Sequence, residues 1–207
     1  DIYVLELSSF QLAHSAHLAL ASAGVLNITD DHRDWHGDFE SYRRAKERIY
    51  VNADYCVGCL STDCEVDVTV DVSAPGVNRW GVAYHEEALW LFCDDTPLIA
   101  TSDLPLAGRH NVENCLWALA LVEPWIEPRH AAQLLVGFQG LPHRFESLSG
   151  PTGIRCINDS KATNVGATLA ALEGFARDGT LILIAGGDSK HADLAPLGDE
   201  MRGRAQQ

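Results

Sequence analysis

Lysine is scarce in this chain, and its three positions are the first candidates for chemistry. The sequence has 15 basic residues, and the three lysines among them are Lys46, Lys161 and Lys190. A lysine amine can lose its proton and react covalently, whereas a guanidinium stays charged in proteins. Lys46 stands among arginines on a predicted helix, so it is a candidate for such a reaction. The alternative is an ordinary surface salt bridge with Glu47 or Asp38.

Lys161 and Lys190 occupy similar positions, each in a turn that follows a predicted strand. Lys161 lies in residues 158–164 (NDSKATN) and Lys190 in residues 186–190 (GGDSK). The first turn also opens a predicted helix, and the N-terminal end of a helix favours anions. Two lysines in matching positions indicate a shared anionic ligand. The alternative is that the Asp, Asn and Gly residues serve only to form turns.

Carboxylates and an imidazole follow two further predicted strands. Glu6 lies near the end of residues 2–7, and the carboxyl ends of strands in an open α/β sheet form its ligand-binding crevice. Residues 29–34 (TDDHRD) place His32 among acids that could bind a divalent cation or transfer protons. The alternatives are an outward-facing Glu6 and an acidic helix cap around His32.

The elements that must position these residues begin with a mixture of strands and helices. Strict alternation of four valines over residues 65–72 predicts a strand with one buried face. Apolar residues at helical spacing predict that Phe39, Tyr42, Ala45 and Ile49 form the inner face of a helix. In chain order we predict a strand over 2–7, a helix capped by Ser8 or Ser9, a strand over 24–29, a helix over 38–53, a β-rich region over 55–100, and helices over 111–121 and 129–138.

The last third of the chain reads as a separate part. Residues 1–140 carry a net charge of −13 and residues 141–207 a net charge of −1, and a Gly/Pro-rich stretch over 137–142 lies at the change. After it we predict a strand over 153–158, a helix over 164–175 and a strand over 180–185. This spacing indicates a parallel α/β sheet, and we expect a domain boundary near residue 140.

Composition excludes several classes of function. The net charge of −14 disfavours nucleic acid and anionic membrane surfaces, because both repel an acidic protein. No apolar run reaches the ~20 residues that span a bilayer, and the N-terminus does not resemble a signal peptide. Cys56, Cys59 and Cys64 could form a zinc or redox site, but their apolar setting also fits small buried side chains. We expect a cytoplasmic protein with reduced thiols.

Seven short motifs together resemble the Mur ligases, in order along nearly the whole chain. Four resemble the central domain of that family: residues 5–12 (LELSSFQL), 27–34 (NITDDHRD), 42–46 (YRRAK) and 108–114 (GRHNVEN). Three resemble the branch of the family that uses D-glutamate: residues 140–146 (GLPHRFE), 158–164 (NDSKATN) and 186–190 (GGDSK).

The resemblance implies an α/β fold in two parts. Residues 1–140 would belong to a P-loop-type central ATPase domain, truncated at its N-terminal side. Residues 141–207 would belong to a Rossmann-like C-terminal domain that binds glutamate, truncated at its C-terminal side. The Gly-Lys-Ser/Thr loop that cradles phosphate in this family does not occur in the sequence. We therefore expect that residues 1–207 alone neither bind ATP tightly nor form product.

The resemblance also implies a reaction. Family members use ATP to phosphorylate the carboxylate of a UDP-linked muramoyl substrate, and an amino acid then attacks the acyl phosphate to give an amide. For this branch the partners would be UDP-N-acetylmuramoyl-L-alanine and D-glutamate, in cytoplasmic synthesis of peptidoglycan precursors, and we expect a monomer. Open alternatives are another Mur ligase, a folylpolyglutamate-synthase-like ligase, or a non-catalytic binding module without a P-loop.

Site residues carry over by motif position. The resemblance implies that Glu6, His32 and a carbamylated Lys46 hold Mg²⁺; Mn²⁺ could substitute, since histidine is an unusual ligand for magnesium. The remaining implied roles are nucleotide-base contacts from Asn111 and Asn114, phosphate and ribose contacts from Arg144 and Asp159, D-glutamate carboxylate contacts from Lys161, Thr163 and Lys190, and a nucleotide-sugar contact from Ser8.

Overall fold

A computed structural model describes residues 1–28, 32–106, 108–175, 180–187 and 192–205 of the chain. The chain divides into two compact units. The first comprises Asp1–Leu104 and Glu113–Val136, and the second comprises Pro105–Val112 and Gly137–Gln207. Strands and helices occur in both, which confirms the predicted α/β class.

The first unit is built on a six-stranded sheet whose spatial order follows the chain order. Its first four strands pair in parallel, and the last two add antiparallel neighbours, so the sheet is mixed. The β-rich character predicted over 55–100 is confirmed. The strands are β1 (Ala23–Gly24), β2 (Cys56–Cys59), β3 (Val68–Asp71), β4 (Arg79–His85), β5 (Ala88–Cys93) and β6 (Thr96–Ala100).

The core of this unit lies where the sheet meets helix α4 (Arg109–Val122). A Cβ atom added at Gly24 would lie 3.0 Å from the indole ring of Trp117, so the helix packs closely on β1. Alternation buries Val68 and Val70 of β3 as predicted. The largest fully buried side chains are Val57, Trp80, Leu91, Leu116, Trp117 and Leu119. A further helix, α5 (Pro128–Leu135), begins with proline and is capped by Glu127.

Three helices precede the β-rich region: α1 (Ser9–His14), α2 (Arg33–His36) and α3 (Phe39–Glu47). The prediction that serine caps the first helix is confirmed, because Ser8 and Gln11 form a capping box. Asp38 caps α3, and the Ser41 backbone N–H that it accepts lowers the pKa of its carboxyl group. The predicted helix over 38–53 is too long, since α3 passes into a 3₁₀ turn at 48–50.

The second unit contains a two-stranded antiparallel sheet and two helices. Strand β7 (Glu146–Leu148) pairs with β8 (Cys156–Asn158). Helix α6 (Val165–Glu173) is capped by the Asn164 side chain, and α7 (Ala195–Ala205) packs against it. The Arg204 guanidinium of α7 donates to the Leu172 carbonyl near the end of α6. Cationic groups at this end of a helix stabilise its unpaired carbonyls.

Several predicted strands are wrong or shorter than expected. Residues 2–7 and 180–185 form no strand, and Val4 and Ile184 are each 94% exposed. A strand needs a neighbour for its backbone N–H and C=O groups, and among the described residues neither segment has one. The predicted parallel sheet after residue 140 is also wrong for the described segments, because a turn over 149–155 brings β8 back antiparallel to β7. Strand 24–29 shrinks to β1.

Candidate functional site

The first group of predicted site residues lies on α1, α2 and the segment before them. Ser8 is exposed at the start of α1, where its hydroxyl accepts from the Gln11 backbone N–H at 3.3 Å. The Gln11 side chain accepts from the Ser8 backbone N–H at 2.8 Å. Glu6 lies two residues earlier, exposed in an extended segment. Local capping therefore fixes Ser8, whereas the strand expected to position Glu6 is absent.

Five aromatic and imidazole rings connect the three helices, and we call them the ring cluster: Phe10, His32, Trp35, His36 and Tyr42. Phe10 of α1 lies 4.9 Å from the His32 ring and 5.6 Å from the His36 ring, centroid to centroid. His36 lies 5.3 Å from Tyr42 of α3. Ring packing of this kind holds α2, a helix of only four residues, in place.

Tyr42 brings His32 and Lys46 to one buried ring. The His32 ring lies 5.9 Å from the Tyr42 ring, and the Lys46 Nζ lies 5.6 Å from the same centroid. Tyr42 is 5% exposed, so both contacts are anchored in the core. His32 has a left-handed backbone (φ 53°), a conformation that costs energy for a residue with a Cβ. The two predicted metal ligands are thus neighbours of one side chain.

An ion network fixes the helix that carries Lys46. The Arg43 guanidinium donates to the carboxylates of Glu40, Glu47 and Asp63, the last of which lies on the loop after β2. Hydrogen bonds to Glu40, with the charges of Glu47 and Asp63, raise the pKa of Arg43. Glu47, one of the two expected salt-bridge partners of Lys46, is therefore bound to Arg43.

No group of three or more His, Cys, Asp or Glu side chains could hold a metal ion within the described residues. Asp30 and Asp31, the acids beside His32, lie outside them. An ammonium at Lys46 is not a metal ligand, so the described donors do not by themselves fit a magnesium site. The zinc interpretation of the cysteines is wrong on the same finding, since Cys56, Cys59 and Cys64 are free thiols that form no such group.

The second group of predicted site residues lies in the second unit, around five residues that we call the turn cluster: His143, Phe145, Glu146, Asn158 and Asp159. The Phe145 backbone N–H donates to Asp159 Oδ1 at 3.1 Å, and the His143 backbone N–H donates to Glu146 Oε2 at 2.8 Å. Asn158 Nδ2 lies 3.2 Å from Glu146 Oε2. These bonds join the turn before β7 to the loop after β8.

Arg144 and Lys161 emerge from the turn cluster into solvent. Arg144 stands between His143 and Phe145, both of which have left-handed backbones (φ 66° and 48°). The Lys161 backbone N–H donates to the His143 carbonyl at 3.1 Å. Thr163 follows in the same loop and is exposed. The cluster thus holds a guanidinium, an amine and a hydroxyl on backbone that is itself fixed by hydrogen bonds.

Asn111 and Asn114 lie three residues apart on α4, at a spacing that places side chains on one helix face. Asn111 is 9% exposed and Asn114 is exposed. The neighbouring His110 ring lies 5.4 Å from the Phe145 ring, which connects the start of α4 to the turn cluster. Gly108 precedes it with φ 102°, where a side chain would be strained.

Some functional positions were not among the predicted site residues. His36, His110 and Phe145 hold the site residues in place, and each lies within or two residues beyond a recognised motif. Only their presence beside these motifs could have pointed to them. Lys190 lies outside the described residues, so the matching of its position with that of Lys161 remains a prediction.

Comparison with known proteins relates the chain to one family. Residues 1–122 match the family model of the Mur ligase middle domain. A protein of Nitrosococcus oceani named UDP-N-acetylmuramoylalanine–D-glutamate ligase is 44% identical over 100% of this chain. The Escherichia coli K12 protein of the same name is 42% identical over 98% of the chain. The chain covers 48% of each of these two proteins.

Solved structures show the same fold. MurF from Acinetobacter baumannii matches with a TM-score of 0.57 and 19% identity over 72% of this chain and 36% of its own. MurC from Thermotoga maritima matches with a TM-score of 0.55 and 21% identity over 80% of this chain and 41% of its own. No described helix is long and apolar enough to cross a membrane.

Proposed function

Since this chain belongs to the Mur ligase family, we propose that it is part of an ATP-dependent ligase that adds D-glutamate to UDP-N-acetylmuramoyl-L-alanine. The observation that carries the proposal is identity of 39–44% over the whole chain, including residues 141–207, to relatives that bear this name. The chain spans about half the length of these relatives (48%), so the proposal concerns the complete protein.

The proposed reaction has two steps. A carboxylate oxygen of the muramoyl-alanine attacks the γ-phosphorus of ATP, ADP leaves, and an acyl phosphate forms. The amine of D-glutamate then attacks the acyl carbon, loses a proton and expels inorganic phosphate as the amide forms. Both steps gather anions, so catalysis depends on cationic groups that are held in place before the reaction.

The turn cluster supports a nucleotide and phosphate site in this proposal. Asp159 would bind the ribose and Arg144 a phosphate, with Asn111 and Asn114 on the base. Arg144 is well suited to a phosphate because its planar guanidinium offers several donors in a fixed arrangement. The left-handed residues on either side of it hold it on constrained backbone, so less entropy is lost when an anion binds.

D-Glutamate would bind through its carboxylates. Lys161 and Thr163 lie exposed in the loop after β8, and we assign them, with Lys190, to those carboxylates. The backbone of this loop is tied down by bonds from Ala162 to Asp159 and from Lys161 to His143. A short, fixed loop with a cation and a hydroxyl suits a dicarboxylate better than a flexible one.

The helices α1 to α3 would bind the nucleotide-sugar substrate and a divalent metal. We assign Ser8 to the nucleotide-sugar and Glu6, His32 and Lys46 to the metal. Because the described donors do not fit magnesium as they stand, the proposal requires that CO₂ adds to the neutral Lys46 amine and supplies carbamate oxygens. Magnesium would neutralise charge between phosphate and carboxylate, with manganese as a substitute.

Domain assignment, location and assembly complete the proposal. Residues 1–140 would be the middle, ATP-binding domain and residues 141–207 part of a glutamate-binding C-terminal domain. We propose a cytoplasmic monomer, because the nucleotide substrates are made in the cytoplasm.

The test is phosphate release by the full-length protein encoded by the gene that contains this sequence. We expect release that requires ATP, UDP-N-acetylmuramoyl-L-alanine and D-glutamate together. Replacing D-glutamate with L-glutamate, L-alanine or a diamino acid should abolish it, whereas another Mur ligase or a folylpolyglutamate-synthase-like enzyme would accept a different amino acid or acceptor. Binding of these ligands without any phosphate release would support the non-catalytic module instead.

A further inference from the structure

A hydrogen bond joins the two helices that carry Ser8 and His32. His36 Nε2 of α2 lies 2.9 Å from Ser9 Oγ, at the first residue of α1. Ser9 is 2% exposed, so its hydroxyl has no access to bulk water. Leaving a buried hydroxyl without a partner is costly. The bond is therefore a strong constraint on where the start of α1 lies relative to α2.

The surroundings of His36 limit how else this bond could form. Its ring stacks on Phe10 at 5.6 Å with an interplanar angle of 22°, and it meets Trp35 at 4.4 Å. Tyr42 closes a third side at 5.3 Å. The imidazole is thus held by rings from all three helices, with its Nε2 directed at Ser9.

The two ends of the bond adjoin proposed ligand residues. Ser9 directly follows Ser8, which caps α1. His36 lies four residues after His32, at a spacing that puts the two side chains on one face of α2. A shift of α2 relative to α1 would therefore change the separation between Ser8 and His32.

We propose that His36 is a positioning residue, which holds α2 against the start of α1 through Ser9 and so sets the distance between Ser8 and His32 for the nucleotide-sugar substrate. The inference rests on the proposed function for its substrate, and on the geometry alone for the link between the helices. Nothing in it requires that His36 touch a reacting atom.

The experiment compares four variants of the full-length protein: His36→Phe, His36→Gln, Ser9→Ala and the double variant Ser9→Ala/His36→Phe. Phenylalanine keeps the ring and removes the bond, while glutamine places an amide nitrogen about where Nε2 stands. His130→Phe is the matched control, because His130 is an exposed histidine on α5.

We expect His36→Phe to raise the KM for UDP-N-acetylmuramoyl-L-alanine about tenfold, the effect of one lost buried hydrogen bond. The KM values for ATP and D-glutamate should change less than about twofold. Ser9→Ala should act alike, the double variant should be no worse than either, and His36→Gln should retain most of the affinity. Hydrogen exchange of the α1 and α2 amides should quicken in the first three variants and not in His36→Gln or His130→Phe.

Equal loss in His36→Gln and His36→Phe, or fully additive effects in the double variant, would overturn the inference. So would unchanged exchange in α1 and α2. If His36→Phe does not fold, Ser9→Ala removes the same bond and keeps every ring. Absence of D-glutamate-dependent phosphate release in the unaltered protein would count against the proposed function alone, since the exchange measurement still judges the link between the helices.

Discussion

The ring cluster and the turn cluster hold their site residues by different physical means. In the ring cluster, side chains do the holding: Tyr42 is buried, and His32 and Lys46 lie against its ring. In the turn cluster, backbone N–H groups donate to Asp159 and Glu146, and left-handed residues flank Arg144. The first arrangement depends on apolar burial, and the second on hydrogen bonds and dihedral angles.

This difference teaches where each cluster is vulnerable. Removing a ring from the first leaves a cavity, which the remaining side chains fill only in part. Removing an acceptor from the second leaves a backbone N–H unpaired on a turn that water can reach. Damage to the ring cluster should therefore lower global stability, while damage to the turn cluster should be smaller and local.

The largest effect should come from truncating the centre of the ring cluster. Tyr42→Ala removes a ring that is 5% exposed, so it should lower the free energy of unfolding by about 3–5 kcal/mol. Urea unfolding followed by tryptophan fluorescence measures it. Tyr84→Ala is the control, because that tyrosine is 77% exposed, and a cost similar to that of Tyr42→Ala would contradict the ring-based account.

Loss of the Lys46 amine should affect activity more than stability. Lys46→Ala in the full-length protein should lower kcat by more than about 100-fold, since a metal ligand matters at least as much as the groups that support it. Lys46→Arg should be equally poor, because a guanidinium cannot form a carbamate.

Two measurements then test the carbamate itself. Short carboxylic acids such as formate should restore part of the activity of Lys46→Ala, and not of Lys46→Arg. Mass spectrometry should detect one CO₂ that is released on acidification of the unaltered protein. An active Lys46→Ala variant, with Arg44→Ala as the neighbouring control, would refute the assignment.

Burial beneath the ring cluster should appear in the pH dependence of stability. Burial raises the pKa of Tyr50 to about 12, and its hydroxyl donates to the Val57 carbonyl at 2.9 Å. Since the folded pKa exceeds the unfolded value of about 10, this contribution is complete below pH 10 and is lost as pH rises toward 12. Between these values stability should fall by about 1.4 kcal/mol per pH unit from this group.

Tyr50→Phe removes that titrating group and should reduce the slope by the same amount. Chemical denaturation at closely spaced pH values, with Tyr84→Phe as the exposed control, makes the comparison. Identical slopes in Tyr50→Phe and the unaltered protein would show that Tyr50 ionises normally in the folded state.

The smallest effect should follow removal of one acceptor from the turn cluster. Asp159→Ala leaves the Phe145 N–H without its partner and should cost about 1 kcal/mol of stability, measured by urea unfolding. Asp159→Asn keeps the side-chain oxygen that accepts this bond and should cost less. A loss as large as that of Tyr42→Ala would show that the turn cluster is as much a part of the global core as the ring cluster.

Much of the fold followed from local sequence signals. Ser8 with Gln11 and Asn164 with its following apolar run predicted helix starts, because a cap satisfies its own backbone within a few residues. Alternation predicted β3, since the buried face repeats every second residue. Residues 2–7 and 180–185 failed because apolar content cannot reveal whether a partner strand is available.

The sequence by itself determined the family motifs, the caps and the types of the site residues, since these depend on residue identity at short range. Only the tertiary structure decided that His32 and Lys46 meet at one buried tyrosine, that Arg144 sits between two left-handed residues, and that His36 bonds to Ser9. Those facts depend on contacts between residues far apart in the chain. No local pattern encodes the distance between them, because packing of whole elements sets it.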